Sequence, residues 1–221
     1  MVKEQDLVAR KSYGEDIVFV IDKIINNIAI LKGVTVRIEA DAPINDLVHV
    51  TKERQEECFR TMDERINCLA NDIKNSVQNK RELENNEIEY TGTILHLDGD
   101  KRYTNKSIKY YKQLGLKAIV KNIPEKMQAE AVLDLLKKYN PDILVITGHD
   151  SMIKKGTDYN NINNYRNSKY FINAVRQARR WRRTSRDLVI FAGACQSFFE
   201  AIMLAGADFA SSPRKDFNRF C

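Results

Sequence analysis

A chain of 221 residues, 43% hydrophobic and 30% charged, carries enough apolar material for one core and a small second one. Its formal charge of +6 is mild for that length, which leaves nucleic acid open as a partner without compelling it. The opening MVKEQDLVARK lacks a signal peptide's apolar stretch, and no apolar run approaches the roughly 20 residues of a membrane span. The expectation is therefore an intracellular protein.

Residues 1–50 contain short β-branched runs, DIVFVIDKI, IAILKG and VTVRIEA, punctuated by Gly14, Gly33 and Pro43. They predict a small all-β module, which we read as an SH3-like barrel. Met62, Ile66, Leu69, Ile73 and Val77 then recur at helical spacing through a segment free of Gly and Pro. This predicts a helix whose apolar stripe packs on a neighbouring domain, too short for a long coiled coil. The polar stretch Asn79 to Tyr90 completes the 51–90 segment as a linker.

From residue 91 to 221 the pattern alternates. TGTILHLDGD reads as strand and loop, NKSIKYYKQLG as helix, LKAIVKNIP as strand and EKMQAEAVLDLLKKYN as helix. PDILVITGHD is again strand and loop, NSKYFINAVRQARRW helix, RDLVIFAGACQS strand and turn, SFFEAIMLAG helix and ADFASSP a last strand. Repeated β–α alternation predicts an α/β domain with a parallel sheet flanked by helices. Chemistry in such sheets collects at the carboxyl ends of the strands.

His149 and Cys195 both sit at such ends, after strands of nearly identical form. The 195 − 149 = 46 residues between them hold one helix and its loops, so the two strands are expected to be neighbours. A free thiol is only a few per cent ionised at neutral pH, and a nucleophilic cysteine needs a base or an electropositive setting. We expect Cys195 to open the last helix, whose dipole would favour the thiolate. With one thiol, one imidazole and no evident third member, the expected unit is a dyad, with His96 as the fallback base. Cys58 and Cys68 lie on the charged helix and Cys221 is the last residue, so they are read as structural or incidental. No CxxC pair is present, and neither a disulfide framework nor a zinc site is expected. The arginine run 176–186, RQARRWRRTSR, reads as the end of a solvated helix; its sharper reading is an anionic patch in which Trp181 stacks on a base. Two rival functions stay open on the residues alone, a non-catalytic flavodoxin-like binding module and a nucleic-acid-binding protein.

A strand ending near histidine, followed about fifty residues later by a strand ending in Ala-Cys, resembles the caspase-like (clan CD) cysteine peptidases. More closely, HLDGD, ILVITGHDSM, NNYRNSKYF and FAGACQSFFEAI resemble the YabG family, sporulation-specific proteases of endospore-forming bacteria. The resemblance covers most of the chain and implies a cysteine endopeptidase of the mother-cell compartment. Its implied substrates are spore coat and spore-assembly proteins, cut after basic residues. It implies no cofactor and no metal. Cys195 would be the nucleophile and His149 the general acid–base, with backbone amides at Cys195 and Asp150 holding the oxyanion. Caspase-like enzymes carry His-Gly there, whereas this chain has Gly148 before the histidine and Asp150 after it. Asp98 and Asp100, on the loop that lines the specificity pocket in caspase-like enzymes, would pair with a substrate arginine. The family also runs on past the point where this chain stops, which implies that Cys221 is not the natural end.

Overall fold

A computed structural model describes residues 2–83, 92–153, 158–181 and 188–211. Contacts divide the chain into two units, Met1–Val36 with Ala40–Thr91, and Arg37–Glu39 with Gly92–Cys221.

The first unit holds β1 (Leu7–Arg10), β2 (Phe19–Ile25), β3 (Ile28–Gly33), β4 (Glu39–Pro43) and β5 (Leu47–His49), in the sheet order β4-β3-β2-β1-β5. Strands β2 and β3 form a hairpin in which Ile25 faces Ile28. Its two turn residues, Asn26 and Asn27, have φ of 48° and 63°. A two-residue turn of this hand needs positive φ at both positions, and asparagine tolerates it. Alternation along β2 and β3 buries Phe19, Ile21, Ala29 and Leu31 with Val8, Ala42 and Leu47. A second cluster gathers Ala9, Val18, Val34 and Val50.

The strand expected over Val34–Ala40 is interrupted. Val34–Val36 bend and pairing resumes at Ile38, because the chain doubles back over Gly33, where a Cβ would strike the Val36 carbonyl. Helix α1 (Lys52–Leu83) runs through the first residues expected to be linker. Lys80, Arg81, Glu82 and Leu83 are good helix formers with no Gly or Pro among them; the rest of that linker, 84–90, lies outside the described residues. Of the expected apolar stripe, Ile66 is half-buried while Leu69 is 60% exposed. The buried face passes through Ala70 instead. The side chains of Met62, Ile73 and Val77 lie outside the description.

The second unit alternates β6 (Ile94–Asp98), α2 (Lys101–Gln113), β7 (Ala118–Asn122), α3 (Glu125–Tyr139), β8 (Ile143–Thr147), α4 (Ser168–Arg180), β9 (Val189–Gly193), α5 (Phe199–Leu204) and β10 (Phe209–Ala210). Its strands pair in parallel in the order β10-β9-β8-β6-β7. Strands β8 and β9 are neighbours, registered from Ile143 on Val189 to Thr147 on Gly193. Leu95, Leu97, Leu144, Ile146, Ile190 and Ala192 from the strands meet Val132, Leu136, Phe171 and Val175 from α3 and α4 in one buried cluster. At roughly 1.5–3 kcal/mol for each large apolar side chain removed from water, this cluster is what holds the strand ends in place.

Two helix starts differ from expectation. Helix α2 begins at Lys101 rather than Asn105, because Asp100 caps it, accepting a hydrogen bond from the Arg102 N–H. Helix α5 begins only at Phe199, so Cys195 does not open it. Cys195 lies in a turn closed by Ser197, whose N–H donates to the Ala194 carbonyl while its hydroxyl accepts from the Ala194 N–H.

Candidate functional site

The order of the parallel sheet reverses at β6, which is flanked by β7 on one side and β8 on the other. Such a switch point opens a crevice at the carboxyl ends of the strands. Asp98 ends β6, His149 and Asp150 follow β8, and Cys195 follows β9, so all four reach one sheet edge. The tripeptide Arg37–Glu39 belongs to the same unit and lies along that edge.

His149 is fully buried. Its Nε2 is 2.9 Å from Asp100 Oδ2, and its ring meets Tyr103 edge-on at 5.5 Å between centroids. Its Nδ1 is buried without a hydrogen-bond partner among the described residues. Burial opposes ionisation of Asp100, but hydrogen bonds from His149 and Arg102 and the charges of both hold its carboxyl well below the usual carboxylate range. An ionised acceptor at Nε2 holds a proton on that nitrogen and fixes the ring's orientation. Asp100 thus holds the imidazole through Nε2, and no hydrogen bond joins His149 Nδ1 to Cys195 among the described residues.

The backbone at His149 is braced from below. Glu125, at the start of α3, accepts the His149 N–H at 2.9 Å through Oε1. A Cβ on Gly148 would collide with that carboxylate, so the residue before His149 must be glycine for Glu125 to approach. This gives the Gly148–His149 order its physical reason.

Asp98 serves a different role from Asp100. Its Oδ2 is 2.7 Å from Arg37 Nη2 and accepts from the Thr147 hydroxyl at 2.8 Å. Burial pushes its carboxyl up, while the hydrogen bond from His96 and the charge of Arg37 prevail and pull it well below the usual range. The Arg37 guanidinium also stacks over Tyr103 at 4.0 Å and reaches the Gly148 carbonyl at 3.5 Å. The two aspartates have different partners: Asp98 faces the Arg37 guanidinium, and Asp100 faces His149 and, at 2.9 Å, the Arg102 guanidinium.

Cys195 is half-buried, and its Sγ accepts a hydrogen bond from the Arg37 N–H at 3.2 Å. The Asp150 N–H donates to the Arg37 carbonyl at 3.3 Å. The Asp150 carboxylate turns inward to Ser168, to the Asn167 N–H and to the Ser151 N–H. Burial raises its pKa to about 6, only partly offset by these bonds and by Ser197.

The fallback base His96 is committed elsewhere. Its Nε2 is 2.7 Å from the Thr147 hydroxyl and its Nδ1 is 3.2 Å from the Tyr111 hydroxyl. In the arginine run, Arg179 binds Asp208, the Gly206 carbonyl and the Leu188 carbonyl, and Trp181 packs against the core. Residues 182–186 of that run lie outside the described residues. No group of three or more His, Cys, Asp or Glu side chains is arranged to hold a metal ion among the described residues, and no described helix is long and apolar enough to cross a membrane.

Sequence reasoning missed the orienting role of Asp100, the brace from Glu125 and the whole contribution of Arg37 and Tyr103. A signal for the first two was present. Gly99 and Gly148 each follow a parallel strand, and Glu125 packs against both. Nothing in the sequence marks Arg37.

Comparison with known proteins adds the family. Three solved structures of response-regulator proteins match part of the chain. The first, a LuxR-family regulator from Aurantimonas sp. SI85-9A1, is 17% identical, with 56% of this chain and 74% of that one covered and a TM-score of 0.37. RstA of Klebsiella pneumoniae, 10% identical, covers 57% of this chain and 92% of its own at 0.35. The receiver domain from Methanoculleus marisnigri JR1, 11% identical, covers 59% and 90% at 0.35. Scores this low carry no argument. By contrast, the Sporulation-specific protease YabG of Bacillus subtilis (strain 168) is 40% identical over 227 residues, covering 95% of this chain and 78% of that protein. Residues 3–218 match the family described as YabG peptidase U57. The chain belongs to the YabG peptidase family, the family of a sporulation-specific protease.

Proposed function

We propose that this peptidase is a caspase-like cysteine endopeptidase that cuts after arginine, and after lysine more weakly, with spore coat and spore-assembly proteins in the mother-cell compartment as its substrates. The observation that carries the reading is the set of contacts at the strand ends: His149 held through Nε2 by Asp100, and Asp98 paired with a guanidinium 2.7 Å away beside Cys195. The small antiparallel sheet at residues 1–50 is read as an SH3-like module that accompanies the catalytic domain.

The chemistry follows from the groups. Cys195 Sγ attacks the scissile carbonyl, and the Asp150 amide, with the amide at Cys195, receives the developing oxyanion. His149 takes the thiol proton on Nδ1 and gives it to the leaving amine, while Asp100 holds the ring and stabilises the imidazolium. Water then resolves the thioester by the reverse path. Asp98 at the floor of the pocket selects a cation, and the Tyr103 face favours the flat guanidinium over an ammonium.

The test is incubation of the purified chain with a denatured substrate rich in lysine and arginine, followed by mapping of the new termini. The reading expects cuts after arginine, fewer after lysine, and none with Cys195→Ala. Cuts after unrelated residues would remove the role given to Asp98.

A further inference from the structure

Arg37 is bound at this edge as a substrate residue would be. Its guanidinium meets Asp98 and stacks on Tyr103, its N–H points at Cys195 Sγ, and its carbonyl oxygen takes the Asp150 N–H. Those last two contacts engage the Arg37 backbone at its amide and at its carbonyl oxygen. The next residues keep to the same edge: Ile38 forms an isolated parallel bridge with Asp150, and the Glu39 N–H reaches the Asp150 carbonyl at 3.4 Å. The Glu39 carbonyl accepts from the Ser151 hydroxyl, and its carboxylate meets Asn167 Nδ2 at 3.3 Å and Arg166 Nη1 at 3.9 Å. Extended peptides bind sheet edges in this manner, with backbone bonds for affinity and a side-chain pocket for specificity.

A structural ion pair alone would explain the guanidinium. It would not explain why the amide and carbonyl of the same residue meet the thiol and the amide assigned to the oxyanion. We infer that residues 37–39 are a built-in substrate, and that the chain cleaves its own Arg37–Ile38 bond. This rests on the reading of the site given above. In the step, a bond forms between Cys195 Sγ and the Arg37 carbonyl carbon as the Arg37–Ile38 C–N bond breaks, and the cysteine proton passes through His149 to the Ile38 amine. Water then hydrolyses the thioester, leaving a carboxylate on Arg37 and restoring the thiol. Until the bond is cut, the same segment blocks the pocket to other substrates.

The experiment follows the full chain by intact mass and N-terminal sequencing under denaturing conditions, alongside cleavage of an added arginyl peptide. The wild-type chain should yield residues 1–37 and 38–221 at a rate independent of protein concentration, and Cys195→Ala should stay whole. Two further variants separate blocking from cutting. Arg37→Ala should remain uncut at this bond and bind the added peptide with a KM about tenfold lower, since a tethered competitor acts at high effective concentration. Ile38→Pro should also remain uncut but keep a high KM, because Arg37 stays in place. A chain that cuts the added peptide but never the 37–38 bond overturns the self-substrate inference alone. Equal KM values for Arg37→Ala and Ile38→Pro overturn the blocking role. A chain that cuts neither its own bond nor the peptide overturns the peptidase reading together with the inference.

Discussion

The two sheets treat polar groups in opposite ways. Among the described residues of the antiparallel sheet and α1, the buried side chains are apolar, and charged pairs such as Arg10 with Asp46 and Lys32 with Asp22 stay partly exposed. The parallel sheet buries His96, Asp98, Asp100, Glu125, His149 and Asp150 at its carboxyl edge. Burying an ionisable group costs several kcal/mol unless it is paired and hydrogen-bonded, and a fold built for stability alone would place apolar residues there. The contrast teaches that the first sheet is arranged for packing and the second gives up stability at one edge to hold charges in fixed positions.

The contrast breaks most sharply at the imidazole. His149→Ala should reduce cleavage by about 10² to 10⁴-fold, the usual worth of general acid–base help, in a peptide assay at saturating substrate. Asp100→Asn acts through His149, and a kcat loss of about 10³-fold or more with little change in KM is expected. Its pH–rate profile should also lose the shape set by the oriented imidazole, and Asp100→Glu should restore part of the rate. A purely structural aspartate would lower the folded fraction and leave that profile alone.

Asp98→Asn sharpens the comparison by separating binding from chemistry. Removing one partner of a buried ion pair costs about 3–5 kcal/mol, so kcat/KM on arginyl substrates should fall by about 10² to 5 × 10³-fold. Leucyl substrates should be little affected, and Cys195 should still react with a small alkylating agent. Matched peptides differing only in the residue before the cut supply the measurement.

Acid titration distinguishes the buried carboxylates from one another. Asp150 has its pKa raised from 3.8 to about 6 by burial, so the native state holds a proton that the unfolded chain has released. Stability from this group is greatest below 3.8 and declines as the pH rises to about 6, by about 3 kcal/mol in all. Asp98 and Asp100 are depressed, and their contribution runs the other way, present above the ordinary carboxylate range and lost as the pH falls through their folded values. Urea melts of Asp150→Asn between pH 4 and 7 should lose the declining limb. The smallest effect belongs to the first sheet. Asn27→Gly, at φ 63° in the hairpin turn, should stabilise by about 0.5 kcal/mol and leave cleavage unchanged.

How far the sequence discloses this arrangement depends on the range of the interaction. The β/α alternation from residue 91 is legible because short, mostly apolar strands such as ILHLD, buried throughout, and ILVIT, half-buried at Ile143 and Val145, are closed by loop residues, and the register of β8 on β9 follows from their matched form. The start of α2 was within reach too, since Asp100 is an ordinary N-cap residue. Its capping role also explains why Asp98 and Asp100, two apart, do not share a direction: β6 ends between them. The turn at Cys195 was less accessible, because the Ser197 hydroxyl that delays α5 competes with the helix by a local hydrogen bond. Arg37 is beyond any local reading, for its partners lie at Asp98, Gly148 and Cys195.

The central claim is that Cys195 is a nucleophile set beside a pocket for arginine. A peptidyl-arginine acyloxymethyl ketone, which alkylates a cysteine only when its arginine is seated, tests it most directly by mass mapping of the adduct. The account predicts one adduct, on Cys195, formed much faster than with the leucine counterpart and lost in His149→Ala. Equal labelling of Cys58 and Cys195, or equal rates for the arginine and leucine reagents, would contradict it.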